Sequence, residues 1–208
     1  RVKKLRKNIM ELVLSDLPEQ QFPRDNVTAN IEQKPQTLVT EFEQVVLATG
    51  VGQVRFAQGK KSIGTESGEL GNELENQQSN LKDTSHPYMR MDLSLCIDCN
   101  RCVRACDEIQ GEQVLSVAGR GFDSRIIKGQ DVSFKDSDCV SCGACAQTCP
   151  TGAISDVFRE SLAENVINNA TKIEKTRTVC SYCGVGCNLE VSTQDDQILS
   201  IEAPLDKI

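Results

Sequence analysis

Cys96-Ile97-Asp98-Cys99-Asn100-Arg101-Cys102-Val103-Arg104-Ala105-Cys106 is the stretch on which the reading of this chain turns. Its spacing, C-x2-C-x2-C-x3-C, recurs 43 positions later as Cys139-Val140-Ser141-Cys142-Gly143-Ala144-Cys145-Ala146-Gln147-Thr148-Cys149, followed by Pro150. Cysteines two or three residues apart close strained disulfide rings, whereas a loop wrapped around a metal cluster needs that density of thiolates. Three thiolates on one tight loop reach three corners of a cubane, and the fourth corner must come from elsewhere. Pro150 cannot continue a helix and turns the chain into Thr151-Gly152-Ala153-Ile154, which reads as a short strand. Val114-Leu115-Ser116-Val117 is expected as the matching strand, followed by a Gly119-Arg120-Gly121 turn. The rival reading is a zinc-binding structural module, since paired C-x2-C motifs make all-cysteine zinc sites. Two successive four-cysteine runs with the same spacing favour iron–sulfur.

In two-cluster ferredoxins the fourth cysteine of each run ligates the other cluster. Applied here, cluster I takes Cys96, Cys99, Cys102 and Cys149, and cluster II takes Cys139, Cys142, Cys145 and Cys106. A third group, Cys180-Ser181-Tyr182-Cys183-Gly184-Val185-Gly186-Cys187, supplies three thiolates, and its glycines leave backbone N–H groups open to cluster sulfurs. The fourth ligand of this cluster III is expected beyond Ile208, because Ile198-Leu199-Ser200-Ile201-Glu202 reads as a strand inside a domain that has barely begun.

The 208 residues hold 11 cysteines, and hydrophobic residues make up 38%, aromatics 4%, with no Trp. One large core is therefore not expected. The net charge of −7 argues against a general nucleic-acid binder. No run approaches the roughly 18 apolar residues of a membrane span, and the basic opening Arg1-Val2-Lys3-Lys4-Leu5-Arg6-Lys7 leads into no signal-peptide apolar region. Cluster cysteines point to a reducing, cytoplasmic setting, which discounts the glycosylation patterns at Asn26 and Asn169.

Val2, Leu5, Ile9, Leu12 and Val13 recur at helical spacing. They predict a surface helix that docks on a neighbouring domain, a partner-binding role being the alternative. Residues 17–40 read as an extended linker and 59–84 as a loop or disordered segment. Val45-Val46-Leu47-Ala48-Thr49-Gly50-Val51-Gly52 invites a dinucleotide-binding reading, but Arg55 replaces the third glycine and no second strand follows. A short helix ended by Gly50 is the better reading. His86, the sole histidine, is expected to pack or cap structurally rather than bind metal. Arg101, Arg104, Arg120 and Arg125 lie in or between the cluster loops, where they stabilise the reduced clusters or are ordinary solvated side chains. Val157, Phe158, Leu162, Val166 and Ile167 predict an amphipathic linker helix.

With these residues in hand, residues 84–208 resemble the α subunit of NAD-linked, molybdenum- or tungsten-dependent formate dehydrogenases. The likeness is carried by His86-Pro87-Tyr88-Met89-Arg90-Met91-Asp92, by Cys106 to Gly111, by Ala118 to Arg125, and by Arg177 through Val191. It implies an α+β fold: a bacterial-type, two-cluster 4Fe-4S ferredoxin-like module at 84–157, flanked by an irregular and helical N-terminal region at 1–83. A linker helix at 158–176 and the truncated start of the molybdopterin domain at 177–208 follow. The resemblance further implies that Cys180, Cys183 and Cys187 hold the cluster nearest a bis-molybdopterin guanine dinucleotide carrying Mo or W. Formate is then the substrate of the whole protein, flavin- and NAD-binding diaphorase-type subunits are its partners, and the formate-handling residues lie past Ile208. Many relatives carry an H-x3-C-x2-C-x5-C cluster and a 2Fe-2S domain before the module, and neither pattern is found here. The equivalent segments of other molybdopterin oxidoreductases, of the NADH:quinone oxidoreductase large subunit and of iron-only hydrogenases are the alternatives.

Overall fold

The computed structural model describes residues 2–34, 39–56, 81–121, 124–157, 173–194 and 196–204. The chain divides into two compact units, Arg1–Ser155 and Asp156–Ile208. The expected loop over 59–84 and linker helix over 158–176 fall largely outside the described residues.

The first unit opens with α1, Val2–Ser15. The helix forms where its periodicity predicts, but Val2, Leu5, Ile9 and Leu12 remain at least half exposed among the described residues. The buried face instead carries Glu11, Leu14 and Ser15. Glu11 is tolerated there because its carboxylate lies 2.7 Å from the Arg55 guanidinium, which also reaches Asn8.

The expectation of an extended linker over 17–40 is corrected. Leu17, Phe22, Val27 and Ile31 are buried, and Val27–Glu32 form a short helix, α2. Pro, Gln and Asn are frequent in this stretch, and the four buried apolar residues have no regular period, so composition hides a core contribution. Helix α3, Glu41–Thr49, is set by local chemistry at both ends. Thr40 Oγ1 accepts from Glu43 N, while the Glu43 carboxylate accepts from Thr40 N at 2.8 Å, a reciprocal capping box. Gly50 ends the helix in a left-handed conformation at φ 67°. These helices close a core of Leu14, Leu17, Phe22, Val27, Ile31, Phe42, Val46, Val51 and Val54. Phe22 and Phe42 meet edge to face, centroids 5.7 Å apart.

A second core in the same unit gathers Met89, Met91, Leu93, Val114, Leu115, Ile126, Phe134 and Ile154 around Cys102, Cys106 and Cys145. Around it run β1 (Lys82–Asp83), β2 (Met89–Asp92), α4 (Arg101–Arg104), β3 (Leu115–Ala118), β4 (Arg125–Lys128), α5 (Ala144–Thr148) and β5 (Ile154–Asp156). Strand β3 forms at the expected place, but its partner is β4, antiparallel in the register Leu115↔Lys128 to Ala118↔Arg125. Strand β5 joins β1 and β2 in a separate sheet of order β1-β2-β5. The expected match between Val114–Val117 and Thr151–Ile154 is therefore corrected: each pairs with a strand the cysteine motifs do not mark. The two cores meet where Phe42 N donates to Pro150 O at 2.9 Å and Ile97 packs on the helical side.

The second unit is an antiparallel meander of β6 (Glu174–Val179), β7 (Asn188–Gln194) and β8 (Gln197–Glu202). Strand β8 lies where Ile198–Glu202 was expected.

Candidate metal centre

The two four-cysteine loops share a backbone as well as a spacing. In the first, Asp98 and Asn100 have positive φ (52° and 58°); in the second, Ser141 and Gly143 do (61° and 74°), at the same 43-residue offset. A left-handed residue between two right-handed neighbours turns successive N–H groups to one side, making a concavity for negative charge. Accordingly Asp98 N donates to Cys96 Sγ and Ser141 N to Cys139 Sγ, both at 3.4 Å. The second left-handed residue of each loop starts a short helix, α4 after Asn100 and α5 after Gly143, which carries the third cysteine inward. Cys102 and Cys145 are buried, while Cys99 and Cys142 face solvent.

Each fourth cysteine lies just past the short helix of its own loop. Cys106 sits in a π-helical turn, Ala105–Ile109, that continues α4. Cys149 follows α5, and its sulfur accepts from Ile154 N at 3.4 Å as the chain enters β5. One cavity is lined by Cys96, Cys99, Cys102 and Cys149 together, with Leu93 and Ile97 on its apolar wall. The fourth cysteine of the second run thus lies with the first three of the first run.

Electrostatics follow this pairing at Cys102 and Cys139, whereas Cys145 feels Cys102 of the other loop ahead of its own loop's cysteines. Burial pushes the Cys102 thiol up to about 12, and the nearby charges of Cys149 and Cys96, then Cys99, add to it. Burial likewise pushes Cys145 up to about 12, with Cys102, Cys139 and Cys142 as its charged neighbours. Burial also raises Cys139, and Cys142 and Cys106 contribute. Thiols this hard to ionise become thiolates only when cationic metal supplies the compensating charge, so metal binding releases protons. All eleven cysteines are free thiols. Among the described residues, no group of three or more His, Cys, Asp or Glu is arranged to hold a single metal ion. A soft, all-sulfur donor set spread around an apolar cavity and met by backbone N–H groups fits an iron–sulfur cluster.

Cys180, Cys183 and Cys187 all lie on the connection between β6 and β7, closed by Cys180 N donating to Cys187 O at 2.8 Å. Gly186 adopts φ 66° there.

His86 packs as expected and does more. It is 4% exposed, and its ring meets Phe134 edge to face at 5.1 Å. Nδ1 accepts from Tyr88 N and Met89 N, and Nε2 lies 3.1 Å from Ser141 Oγ. Burial pulls its pKa below the usual value; the Asp83 charge opposes this and the Arg90 charge adds to it. Three of the four loop arginines bind carboxylates: Arg101 to Glu41, Arg104 to Glu108 and Arg125 to Asp131. Arg120 is exposed beyond β3.

Cysteine spacing gives no hint of Asp83. Its carboxylate accepts from Ser85 N, Ser85 Oγ, Lys128 Nζ and Phe134 N, tying β1 to β4 and to the approach of the second loop. Burial alone would raise its pKa, but these donors outweigh it and hold the carboxyl well below the usual range. The Asp83-Thr84-Ser85 turn is the one local sign that could have pointed to it.

Residues 95–153 match the 4Fe-4S dicluster domain, and residues 173–206 match the molybdopterin oxidoreductase Fe4S4 domain. The chain therefore combines two iron–sulfur domains of the kinds found in molybdopterin oxidoreductases. It is 35% identical over 154 residues to "Probable oxidoreductase YjgC" of Bacillus subtilis, covering 58% of this chain and 16% of that protein. It is 31% identical over 159 residues to "Putative formate dehydrogenase SH0748" of Staphylococcus haemolyticus, covering 59% and 16%, and a Staphylococcus aureus protein of the same description is 35% identical with the same coverage. The chain thus spans about a sixth of the length of these curated relatives. Its fold is similar to the crystal structure of an NAD+-reducing NiFe-hydrogenase in the H2-reduced state, with a TM-score of 0.52, 19% identity, and coverage of 74% of this chain and 55% of that one.

Proposed function

We propose that the chain is the electron-transfer portion of a formate dehydrogenase α subunit of the molybdopterin type, working in the cytoplasm. Cys96, Cys99, Cys102 and Cys149 hold cluster I; Cys139, Cys142, Cys145 and Cys106 hold cluster II; Cys180, Cys183 and Cys187 give three ligands to cluster III. Each 4Fe-4S cluster, when bound, takes up and passes on one electron. In the full-length protein the electrons come from formate oxidised at a molybdopterin guanine dinucleotide carrying Mo or W. They leave towards flavin- and NAD-binding diaphorase-type subunits. The protein's own part is to hold thiolates, aim N–H groups at sulfur and keep water from the inner cysteines. Among the described residues no helix is long and apolar enough to cross a membrane.

The observation that carries this reading is the cavity that brings Cys149 together with Cys96, Cys99 and Cys102. The likeness to proteins named as formate dehydrogenases supports the choice of substrate. The test is anaerobic reconstitution with metal analysis and EPR of the reduced chain. About eight iron and eight labile sulfide for the two complete cubanes, in a brown protein, are expected; a colourless protein loaded with zinc overturns the reading. Cys106→Ala is expected to remove the cluster II signal and spare cluster I, and the reverse loss refutes the crossed ligation.

A further inference from the structure

The two cysteine loops have the same backbone and different surroundings. At the left-handed turn between the first and second cysteines, the first loop carries Asp98, whose carboxylate lies 3.5 Å from Cys96 Sγ. The second loop carries Ser141 at the same place, and its hydroxyl meets the buried imidazole of His86, 55 residues away in sequence.

The hydrogen-bond geometry settles which way that contact runs. Nδ1 of His86 accepts two backbone N–H groups, from Tyr88 and Met89. A nitrogen that accepts cannot carry the proton, so Nε2 carries it and donates to Ser141 Oγ. The ring cannot swing away, because Phe134 and Tyr88 flank it edge to face. Its own segment is anchored as well: Ser85 Oγ accepts from Lys135 N, and Asp83 accepts from Phe134 N. A rigid donor therefore reaches a residue that is itself exposed and strained at φ 61°. The backbone N–H of that same residue is the one donated to Cys139 Sγ at 3.4 Å.

We propose that His86 is a positioning residue for cluster II: by holding Ser141 through Nε2–H···Oγ it keeps the Ser141 amide on Cys139 sulfur and sets that cluster's reduction potential apart from cluster I. The inference rests on the two-cluster reading above. An amide donated to a ligating sulfur stabilises the extra negative charge of the reduced cluster and raises its potential. The first loop donates the same amide, Asp98 N to Cys96 Sγ at 3.4 Å, but no histidine holds it, and a carboxylate 3.5 Å from that sulfur acts in the opposite sense. The two sites, alike in ligands, are thus separated by one residue difference and one remote histidine, with cluster II the higher in potential.

The test is an EPR-monitored redox titration of the reconstituted full chain, with iron and sulfide measured in every variant. His86→Ala and Ser141→Ala are each expected to move the cluster II midpoint to more negative potential and to leave cluster I in place. Because both remove one hydrogen bond, the double variant is expected to shift no further than either single one. His86→Gln, whose amide nitrogen can overlay Nε2, is expected to restore most of the shift, which a role in packing alone would not produce. A wild-type chain with both signals whose cluster II midpoint does not move in Ser141→Ala, or moves together with cluster I, overturns the inference. A wild-type chain that yields no pair of cubane signals fails the two-cluster reading instead, so the two failures are told apart. Should His86→Ala not fold, Ser141→Ala and His86→Gln decide the matter.

Discussion

Asp83 concentrates more of the structure on one carboxylate than any cysteine does. It is 10% exposed at the side chain and faces Lys128, 9% exposed, at 2.9 Å. Removing one member of a nearly buried pair leaves the other uncompensated, so Asp83→Asn is expected to cost about 3 kcal/mol, the low end for such a loss. The pH dependence follows from the direction of the shift. The folded carboxyl titrates below its unfolded value of about 3.9, so its contribution is fully present above that value and is lost as the pH falls towards the folded one. Denaturant unfolding at pH 7 and at pH 3 checks this: the gap between wild type and Asp83→Asn should be wide at pH 7 and narrower at pH 3. A gap that stays constant contradicts the assignment. This residue also marks a limit of sequence reading. Its partners lie 45 and 51 positions away, and no local pattern ties them together.

The elements divide into those with a chemical signature in the sequence and those without. The capping box of α3 is written in Thr40 and Glu43, and Gly50 closes the helix, so its extent is readable. Thr40→Ala removes the side-chain acceptor for Glu43 N and is expected to cost about 1 kcal/mol. Hydrogen exchange should then show the first-turn amides of α3 losing protection before the rest of the helix, and uniform loss along α3 would contradict the capping role. The cysteine loops were legible for a related reason: metal ligation forces short, rigid spacings that survive in one dimension. Strand partners were not legible, because β3 and β5 are each two to four residues of pairing whose choice is made by Ile126, Met91 and the shared core. The stretch 17–40 reads as a linker in sequence because its four buried side chains, Leu17, Phe22, Val27 and Ile31, follow no period. On α1 the period is real, but the buried residues are Glu11, Leu14 and Ser15, and Glu11 meets Arg55, 44 residues away, a pairing no local pattern shows.

For the first unit as a whole, the two cores share one boundary. Phe42 lies at it, buried on one side against Phe22 and tied through its N–H to Pro150, the residue after Cys149. Ile97, between the first two cysteines, packs on the same helical core. Phe42→Ala is expected to cost about 3–4 kcal/mol and to loosen the wall of the cavity lined by Cys96, Cys99, Cys102 and Cys149, the site proposed for cluster I, while leaving the loop proposed for cluster II untouched. A chelator challenge followed by EPR reads this directly: cluster I should be stripped faster than cluster II, and equal rates would mean that the cores are independent.

The sheet order β1-β2-β5 carries a wider consequence. Asp92 N donates to Ala153 O at 2.7 Å, so the strand that enters the cysteine region and the strand that leaves it lie side by side. A segment whose entrance and exit are neighbours behaves as a cassette: it can be spliced into a longer polypeptide, or moved between them, while the flanking chain sees little more than a tight turn.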